Sequence, residues 1–208
     1  MTKLTPEFFL RDTVEVARDL LGCYLVRNFE GQTMICRITE TEAYIGAIDK
    51  ACHAYGGRKT ARTRTLYASP GTAYVYQIYG MYHCLNFVTE PEGTASAVLI
   101  RGCIPVYNEN AIAELRYGIN TDQLSRYQRK NFLNGPGKLC KGLAIDKDIN
   151  NAPCGGDALF LADEIPELSL FKRRNDFAYH TGKRIGIDYA EEAVDFPWRF
   201  WTTEDPLC

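Results

Sequence analysis

The sequence predicts an α+β fold in which helices pack around a curved, partly open barrel-like antiparallel β-sheet that carries a protruding β-hairpin. Several segments alternate apolar and polar residues with a period of two, as half-buried strands do. These segments follow one another through short turns, and the helical segments are grouped in the middle of the chain, which favours an antiparallel sheet. The 208 residues contain no repeat and no linker, so we expect a single domain over residues 1–208.

The first half of the chain supplies most of the predicted sheet. A helix is expected to begin at Asp12 or Thr13, which can cap it, and to end at Gly22. A long loop at 45–70 interrupts the strands, and loops on a rigid sheet are where binding groups concentrate. The strands are predicted at 23–29, 33–44, 72–78, 82–89 and 95–101.

The second half mixes helices with a few short strands. Helices are predicted at 108–117 and 121–130, and a third, at 135–143, is opened by two glycines. A helix N-terminus of this kind is a candidate phosphate site, with Lys138 at hand. Further strands are predicted at 158–161, 183–187 and 199–202.

The composition indicates an ordinary soluble globular protein, with 46% hydrophobic and 24% charged residues. No secretory signal opens the chain and no run of about 18 apolar residues occurs, so we expect a cytoplasmic protein without a membrane partner. The eight cysteines form no CxxC pair, which favours reduced, buried thiols over disulfides. The sequence has no cluster of cysteines and histidines, so we expect no metal site.

A net charge of −2 gives no global reason to expect nucleic acid, but one loop is locally basic. Arg58, Lys59, Arg62 and Arg64 lie within seven positions with no acid among them. Such a patch can hold phosphates. The alternative is a solvated charged loop.

The end of the strand at 33–44 carries two acids and a phenol. If the strand continues without a bulge, Glu40, Glu42 and Tyr44 point in the direction of the core residues before them. Those core residues are Met34, Cys36 and Ile38. Because buried carboxylates are rare unless they are paired or functional, this face is a candidate site.

Two roles fit the pair of acids. On one face of a strand their Cα atoms would lie roughly 6.5–7 Å apart. This spacing suits one carboxylate that activates a water while a second group handles charge, as in the hydrolysis of glycosidic bonds. Alternatively, one or both acids have only a structural role, as ion-pair partners of Arg101 or Arg37.

Tyrosines are unusually dense in the same region, with seven in 39 residues. On a sheet face they are usually cross-strand packing. The hairpin tip Tyr79-Gly80-Met81-Tyr82, however, places large side chains where burial is least expected. An exposed aromatic tip beside a basic loop is typical of a side chain that wedges into a base stack, and rings near a carboxylate can stack on an extruded base.

Several separate motifs occur in the order of one known family. They are ETEAY (40–44), His53, YVYQIYGMYHCLN (74–86), VLIRG (98–102) and GPGKLCKGLAI (135–145). The opening TPEFFLRDTVEVARDLLG and the late RIGI (184–187) agree as well. The chain thus resembles the alkyladenine type of DNA-3-methyladenine glycosylase, or methylpurine DNA glycosylase, over nearly its whole length.

The resemblance implies a base excision repair enzyme whose partner is double-stranded DNA containing a damaged purine. It implies that the enzyme flips an alkylated or deaminated purine nucleotide, such as 3-methyladenine, hypoxanthine or ethenoadenine, out of the duplex. The N-glycosidic bond is then hydrolysed without strand cleavage. No cofactor and no metal are needed, and we expect a monomer that acts on the nucleoid if the source is bacterial.

The resemblance also implies roles for individual residues. Glu42 would be the general base that activates water, and Arg101 and the backbone carbonyl of Ile185 would help to hold that water. Glu40 matches the motif without an assigned catalytic role, so we interpret it as structural or electrostatic.

A second group of residues would bind the damaged nucleotide and the DNA. The base pocket would be formed by Tyr44, His53, Tyr76 and Asn86, the last of which would crowd the exocyclic amine of guanine. The gap left in the duplex would be filled by Tyr79 and Met81. The DNA backbone would be contacted by Arg58, Lys59, Arg62, Arg64 and Lys138.

Two other functions remain open on the residues alone. One is a non-catalytic nucleic-acid-binding module that uses aromatic stacking. The other is a sugar hydrolase that uses Glu40 and Glu42, which would need a wide cleft lined with hydroxyl groups.

Overall fold

The alternating segments form an antiparallel sheet that curls into a half-barrel in the computed structural model, which describes residues 2–170 and 178–202. The described strands are β1 (Thr2–Lys3), β2 (Tyr24–Phe29), β3 (Gln32–Tyr44), β4 (Ala73–Ile78), β5 (Tyr82–Thr89), β6 (Ser96–Tyr107), β7 (Leu159–Glu164), β8 (His180–Gly182) and β9 (Arg199–Trp201). Their order is β1-β7-β2-β3-β6-β5-β4, and β9 pairs with both β3 and β8. The α+β prediction is confirmed, and β4, β5 and β6 are neighbours as the predicted meander requires.

Five α-helices accompany the sheet over the described residues, and three of the four predicted helices are present. They are α1 (Pro6–Phe9), α2 (Thr13–Asp19), α3 (Glu109–Tyr117), α4 (Arg126–Lys130) and α5 (Pro136–Gly142). Asp12 caps α2, since its side chain accepts the N–H groups of Val14 and Glu15. The helix predicted at 121–130 is only partly correct, because α4 covers just its last five residues. Leu124 is extended there, and Ser125 forms a new capping box with Gln128 that starts α4.

The strand predicted at 183–187 is also wrong, because β8 ends at Gly182. The backbone of this segment has neither the free N–H groups nor the extended conformation that strand pairing requires. The Ile185 N–H donates to a side chain on β3, and Gly186 has a φ of 77°, which is left-handed.

A bulge in β3 changes which residues face the core. The pairing of β3 with β6 shifts register on both sides of Glu40. After this irregularity Ala43 belongs to the main core together with Ile38, and the Thr41 hydroxyl donates to the Ala17 carbonyl of α2 at 2.7 Å. The expectation that Glu40 and Glu42 share the face of Ile38 is therefore wrong. The bulge turns Glu42 to the other side, where it lines a cavity.

The main core lies between the sheet and the packed faces of α2, α3 and α5. Its fully buried residues include Leu20, Leu85, Ile100, Ile112 and Leu139. The seven cysteines of the described chain are all buried and unbridged, as predicted, and Cys208 lies outside the described residues. Within the described residues, no helix has the length and apolar character that a membrane crossing requires.

Candidate active site

A cavity of about 550 Å³ opens beneath the β4–β5 hairpin, a volume in the range of small-molecule binding sites. We call it the aromatic cavity. Its walls come from β3, β4, β5 and β6 and from the segments around residues 51–53, 135–138 and 185–189. The residues implied by the resemblance that line it are Glu42, Tyr44, His53, Tyr76, Tyr79, Asn86, Arg101, Lys138 and Ile185.

Glu42 is fully buried at the floor of the aromatic cavity, and both of its oxygens accept hydrogen bonds. Its Oε1 accepts the backbone N–H of Ile185 at 2.8 Å, and its Oε2 accepts the hydroxyl of Tyr44 at 2.8 Å. The Nε of Arg101 lies 3.5 Å from Oε1. Burial raises the pKa of Glu42, and Arg101, the Ile185 N–H and the Tyr44 hydroxyl partly oppose that rise. A carboxylate with a raised pKa and fixed orientation is suited to accept a proton.

Glu40 has a different environment two residues earlier. Its Oε1 accepts from the Nε of Arg101 at 3.0 Å and from the Nε of Arg199 at 2.5 Å. The ion-pair alternative thus describes Glu40 well. Because two guanidinium groups hold this carboxylate, it is not the free second acid that a sugar hydrolase would need.

The wall above Glu42 is aromatic. His53 and Tyr76 make an edge-to-face contact with ring centroids 4.6 Å apart, and Tyr74 lies 5.3 Å from Tyr76. The His53 Nδ1 is 3.0 Å from the Tyr74 hydroxyl. Burial, assisted by the charge of Arg62, lowers the pKa of His53 to about 4. His53 is therefore a neutral imidazole at physiological pH, with one N–H and one acceptor nitrogen.

Asn86 is fixed rather than mobile on this wall. It lies opposite Tyr74 in the β4–β5 pair, and its Nδ2 donates to the Tyr74 carbonyl at 3.0 Å. The side chain is 4% exposed. Its shape is thus a constant part of the cavity.

The hairpin tip projects into solvent. Tyr79 is 88% exposed and Met81 is 69% exposed. Tyr79 and Gly80 have φ values of 50° and 70°, and the Met81 N–H donates to the Ile78 carbonyl, as in a type I′ turn. A tyrosine with positive φ is a strained choice for this turn, and local strain of this kind is often found where a side chain has a function.

The basic residues divide into two groups. Arg58, Lys59, Arg62 and Arg64 are all exposed, and only Arg62 reaches the cavity edge, with its guanidinium 5.1 Å from the Tyr76 ring centre. Lys138 lies in the wall, where its Nζ donates to the side-chain oxygens of Asn131 and Asn134, each at 2.9 Å.

Three residues in or behind this site were given no role by the sequence, although Arg184 opens the RIGI motif. Arg116 lines the aromatic cavity, and its Nε is buried without a hydrogen-bond acceptor among the described residues. Asp49 and Arg184 form a fully buried ion pair behind Glu42. Only the position of Arg116 one turn after the core residue Ile112 hints that its side chain points inward.

A buried carboxylate with a raised pKa on the floor of a largely apolar cavity is typical of an enzyme active site. The family model for methylpurine-DNA glycosylase matches residues 7–206. The chain belongs to this family of DNA glycosylases, which are hydrolases of N-glycosyl bonds.

Bacterial proteins bearing the name "Putative 3-methyladenine DNA glycosylase" are similar over almost the whole chain. The protein from Clostridium perfringens (strain 13 / Type A) is 52% identical over 204 residues, covering 98% of this chain and 97% of the relative. The protein from Alkaliphilus oremlandii is 47% identical over 206 residues, covering 99% and 98%. The protein from Desulfitobacterium hafniense is 46% identical over 202 residues, covering 97% and 95%.

Proposed function

We propose that this protein is a monofunctional DNA repair glycosylase that flips an alkylated or deaminated purine into the aromatic cavity and hydrolyses its N-glycosidic bond. It acts as a monomer on double-stranded DNA and leaves an abasic site. Membership of the family supports the reaction class. The observation that carries the proposal is Glu42, which is fully buried on the cavity floor with both oxygens held by donors.

In this mechanism Glu42 takes a proton from a water, whose oxygen then bonds to C1′ of the sugar. The C1′–N bond breaks, and its electron pair leaves with the base. Positive charge grows on the sugar, and the carboxylate stabilises that charge. An alkylated cationic purine leaves as a neutral base and therefore needs no proton, whereas neutral hypoxanthine has to be protonated as it leaves.

The water is held by Glu42, Arg101 and the main chain of Ile185. The Ile185 N–H donates to the Glu42 carboxylate at 2.8 Å, which supports separate roles for the N–H and the carbonyl of Ile185. The N–H orients Glu42, and the carbonyl remains for the water. Arg101 is kept near both by its bond to Glu40.

Selection of the damaged base depends on the cavity walls. Electron-poor alkylated purines are attracted to the faces of Tyr44 and Tyr76. The neutral state of His53 spares such cations a repulsive neighbour, and its ring leaves a hydrogen-bonding nitrogen for the base. The fixed amide of Asn86 crowds the exocyclic amine of a normal guanine.

DNA is engaged outside the cavity. Tyr79 and Met81 enter the gap left by the flipped nucleotide, which their exposure at the turn supports. The phosphates are contacted by Arg58, Lys59, Arg62, Arg64 and Lys138.

The test is a panel of duplexes that each contain 3-methyladenine, 7-methylguanine, hypoxanthine or ethenoadenine. Wild type should release the free base and leave the strand intact until alkali is added, because the proposed mechanism forms no Schiff base. Glu42→Gln should bind the same duplexes and release the base about 10³-fold more slowly. A wild-type protein that binds but releases no base from any duplex would instead be a stacking module, and the enzyme proposal would fail.

A further inference from the structure

One of the two groups that hold Glu42 is a backbone amide in an irregular segment. The Ile185 N–H donates to Glu42 Oε1, but residues 183–187 belong to no strand or helix. The Ile185 side chain is 46% exposed, so its own packing does not fix the amide. Something else has to hold this segment against β3.

The neighbouring Arg184 provides the anchor. Its side chain is fully buried, and its two terminal nitrogens bind the two oxygens of Asp49 at 2.5 and 2.8 Å. The same guanidinium donates to the carbonyls of Ala43 and Ala193 at 2.8 and 3.1 Å. This bidentate fork fixes both the position and the orientation of the segment.

Asp49 is equally constrained on the other side. It is fully buried at the start of the loop that carries His53, and it accepts the backbone N–H groups of Ile45 and Ala51 at 3.3 and 2.9 Å. The ion pair therefore joins the end of β3, the His53 loop and the Ile185 segment.

The second group that holds Glu42 also contacts this pair. The Arg184 guanidinium lies 4.7 Å from the ring centre of Tyr44, whose hydroxyl donates to Glu42 Oε2. Arg184 therefore precedes Ile185, whose N–H is one donor to Glu42, and its guanidinium packs on the ring of Tyr44, the other donor. A buried ion pair is weak evidence for stability, because its desolvation offsets much of its attraction, but it is well suited to specify one geometry.

We propose that the Asp49–Arg184 pair is a positioning device that holds the Ile185 amide and the Tyr44 ring so that both oxygens of Glu42 stay bound in the reactive orientation. Neither residue touches the cavity, so they act through others, as supporting residues of a preorganised site do. The inference rests on the proposed function of Glu42.

The expected signature is a shift in the titration of Glu42. Several ionisable groups face it, namely Arg101 on the neighbouring strand β6, Cys84 on β5, and Glu40 and Tyr44 on its own strand. The Ile185 N–H lowers the pKa of Glu42, so a displaced amide should raise it. Hydrogen bonds to charged groups correspond to a shift of about one pH unit or more.

Asp49→Asn separates positioning from simple charge. Loss of a nearby negative charge would by itself lower the pKa of Glu42, whereas loss of the anchor should raise it. Arg184→Lys keeps the charge and removes the fork, and it should also raise the pKa. Lys50→Gln is the matched control, because Lys50 links the same two regions at the surface through Glu191 and Glu192.

The experiment is a pH profile of single-turnover base release from a hypoxanthine-containing duplex, together with the ¹³C shift of the Glu42 carboxyl in the free protein. We expect Asp49→Asn and Arg184→Lys to move the acidic limb and the carboxyl titration upward by about one pH unit. At a pH below the limb this is about a tenfold loss of rate. Lys50→Gln should leave both unchanged.

An unchanged limb in both anchor variants, or a downward shift in Asp49→Asn, would overturn the inference. If these variants do not fold, an ester in place of the Ile185 amide removes the N–H and leaves the ion pair intact. It should produce the same upward shift, and an unmoved titration would overturn the inference equally. The carboxyl titration needs no activity, so a wild type that releases no base defeats the proposed function separately.

Discussion

The floor of the aromatic cavity and the tip of its hairpin both present tyrosines, but in opposite states. Tyr44 is partly buried, donates to Glu42 and packs under Arg184. Tyr79 is 88% exposed on a turn with positive φ. The groups proposed for chemistry are thus arranged before DNA arrives, whereas those proposed for capture extend into solvent.

This difference separates two quantities that can be measured independently. Changes at the floor should lower the rate constant of the bound complex, because preorganised groups act on the transition state. Changes at the tip should lower the affinity for damaged duplex and spare the bound complex.

The largest effect is expected at the floor. Glu42→Gln should reduce the single-turnover rate constant at saturating enzyme by about 10³-fold, within the range of general-base catalysis. The dissociation constant for the damaged duplex should change less than threefold. Glu40→Gln is the matched control on the same strand and should cost less than about tenfold, because Glu40 contacts Arg101 and Arg199 rather than the water that is proposed to attack the sugar. Equal losses in the two variants would contradict the distinction between the acids.

The tip should give the next largest effect. Tyr79→Ala should weaken capture of damaged duplex by about 10–100-fold, the value of one aromatic stack on a base. The rate constant at saturating enzyme should be affected much less. Tyr127→Ala, at an exposed tyrosine on α4, should leave capture unchanged. If Tyr79→Ala binds like wild type in gel shift or fluorescence anisotropy, the wedge role is lost.

A smaller effect is expected at the cavity edge. Arg62→Gln should weaken binding several-fold and reduce the slope of log affinity against log salt by about 0.9, as for the loss of one phosphate contact. The saturated rate should stay the same. Arg126→Gln removes an equal charge from α4 and should leave the slope as it is. A normal slope in Arg62→Gln would remove Arg62 from the phosphate contacts.

The smallest effect is on stability. Burial raises the pKa of Glu42 in the folded protein above its value in the unfolded chain. The contribution of Glu42 to the free energy of unfolding is therefore complete at low pH and is lost as the pH rises through the folded pKa. Glu42→Gln should therefore be more stable than wild type at pH 7 by about 1 kcal/mol, or roughly 2–4 °C in Tm. The difference should vanish below about pH 4. Thermal unfolding at both pH values checks this, and a Glu42→Gln variant less stable at pH 7 contradicts it.

Local patterns were sufficient for much of the fold. Alternation predicted the strands of the β4–β5–β6 meander, and a glycine between large side chains predicted the exposed turn at Tyr79. The break at Leu124 was missed because the capping box of Ser125 and Gln128 competes with a continuous helix.

The site was less accessible to such patterns. The bulge at Glu40 depends on how β3 pairs with β6, which a period-two count cannot detect. The Asp49–Arg184 pair joins residues 135 positions apart. The strand expected at 183–187 is replaced by an irregular segment because Arg184 points into that pair and the Ile185 N–H into Glu42. These features arise from tertiary contacts, so spacing along the chain does not reveal them.

The most direct test of Glu42 as the ionised base is the pH dependence of the saturated single-turnover rate in wild type and in Glu42→Gln. Wild type should lose about tenfold per pH unit below an acidic limb that lies above the ordinary glutamate range, because burial raises the pKa of Glu42. The residual rate of Glu42→Gln should not depend on pH across the same range. If Glu42→Gln keeps the limb at the same pH, another group titrates in the reaction and the central role of Glu42 is contradicted.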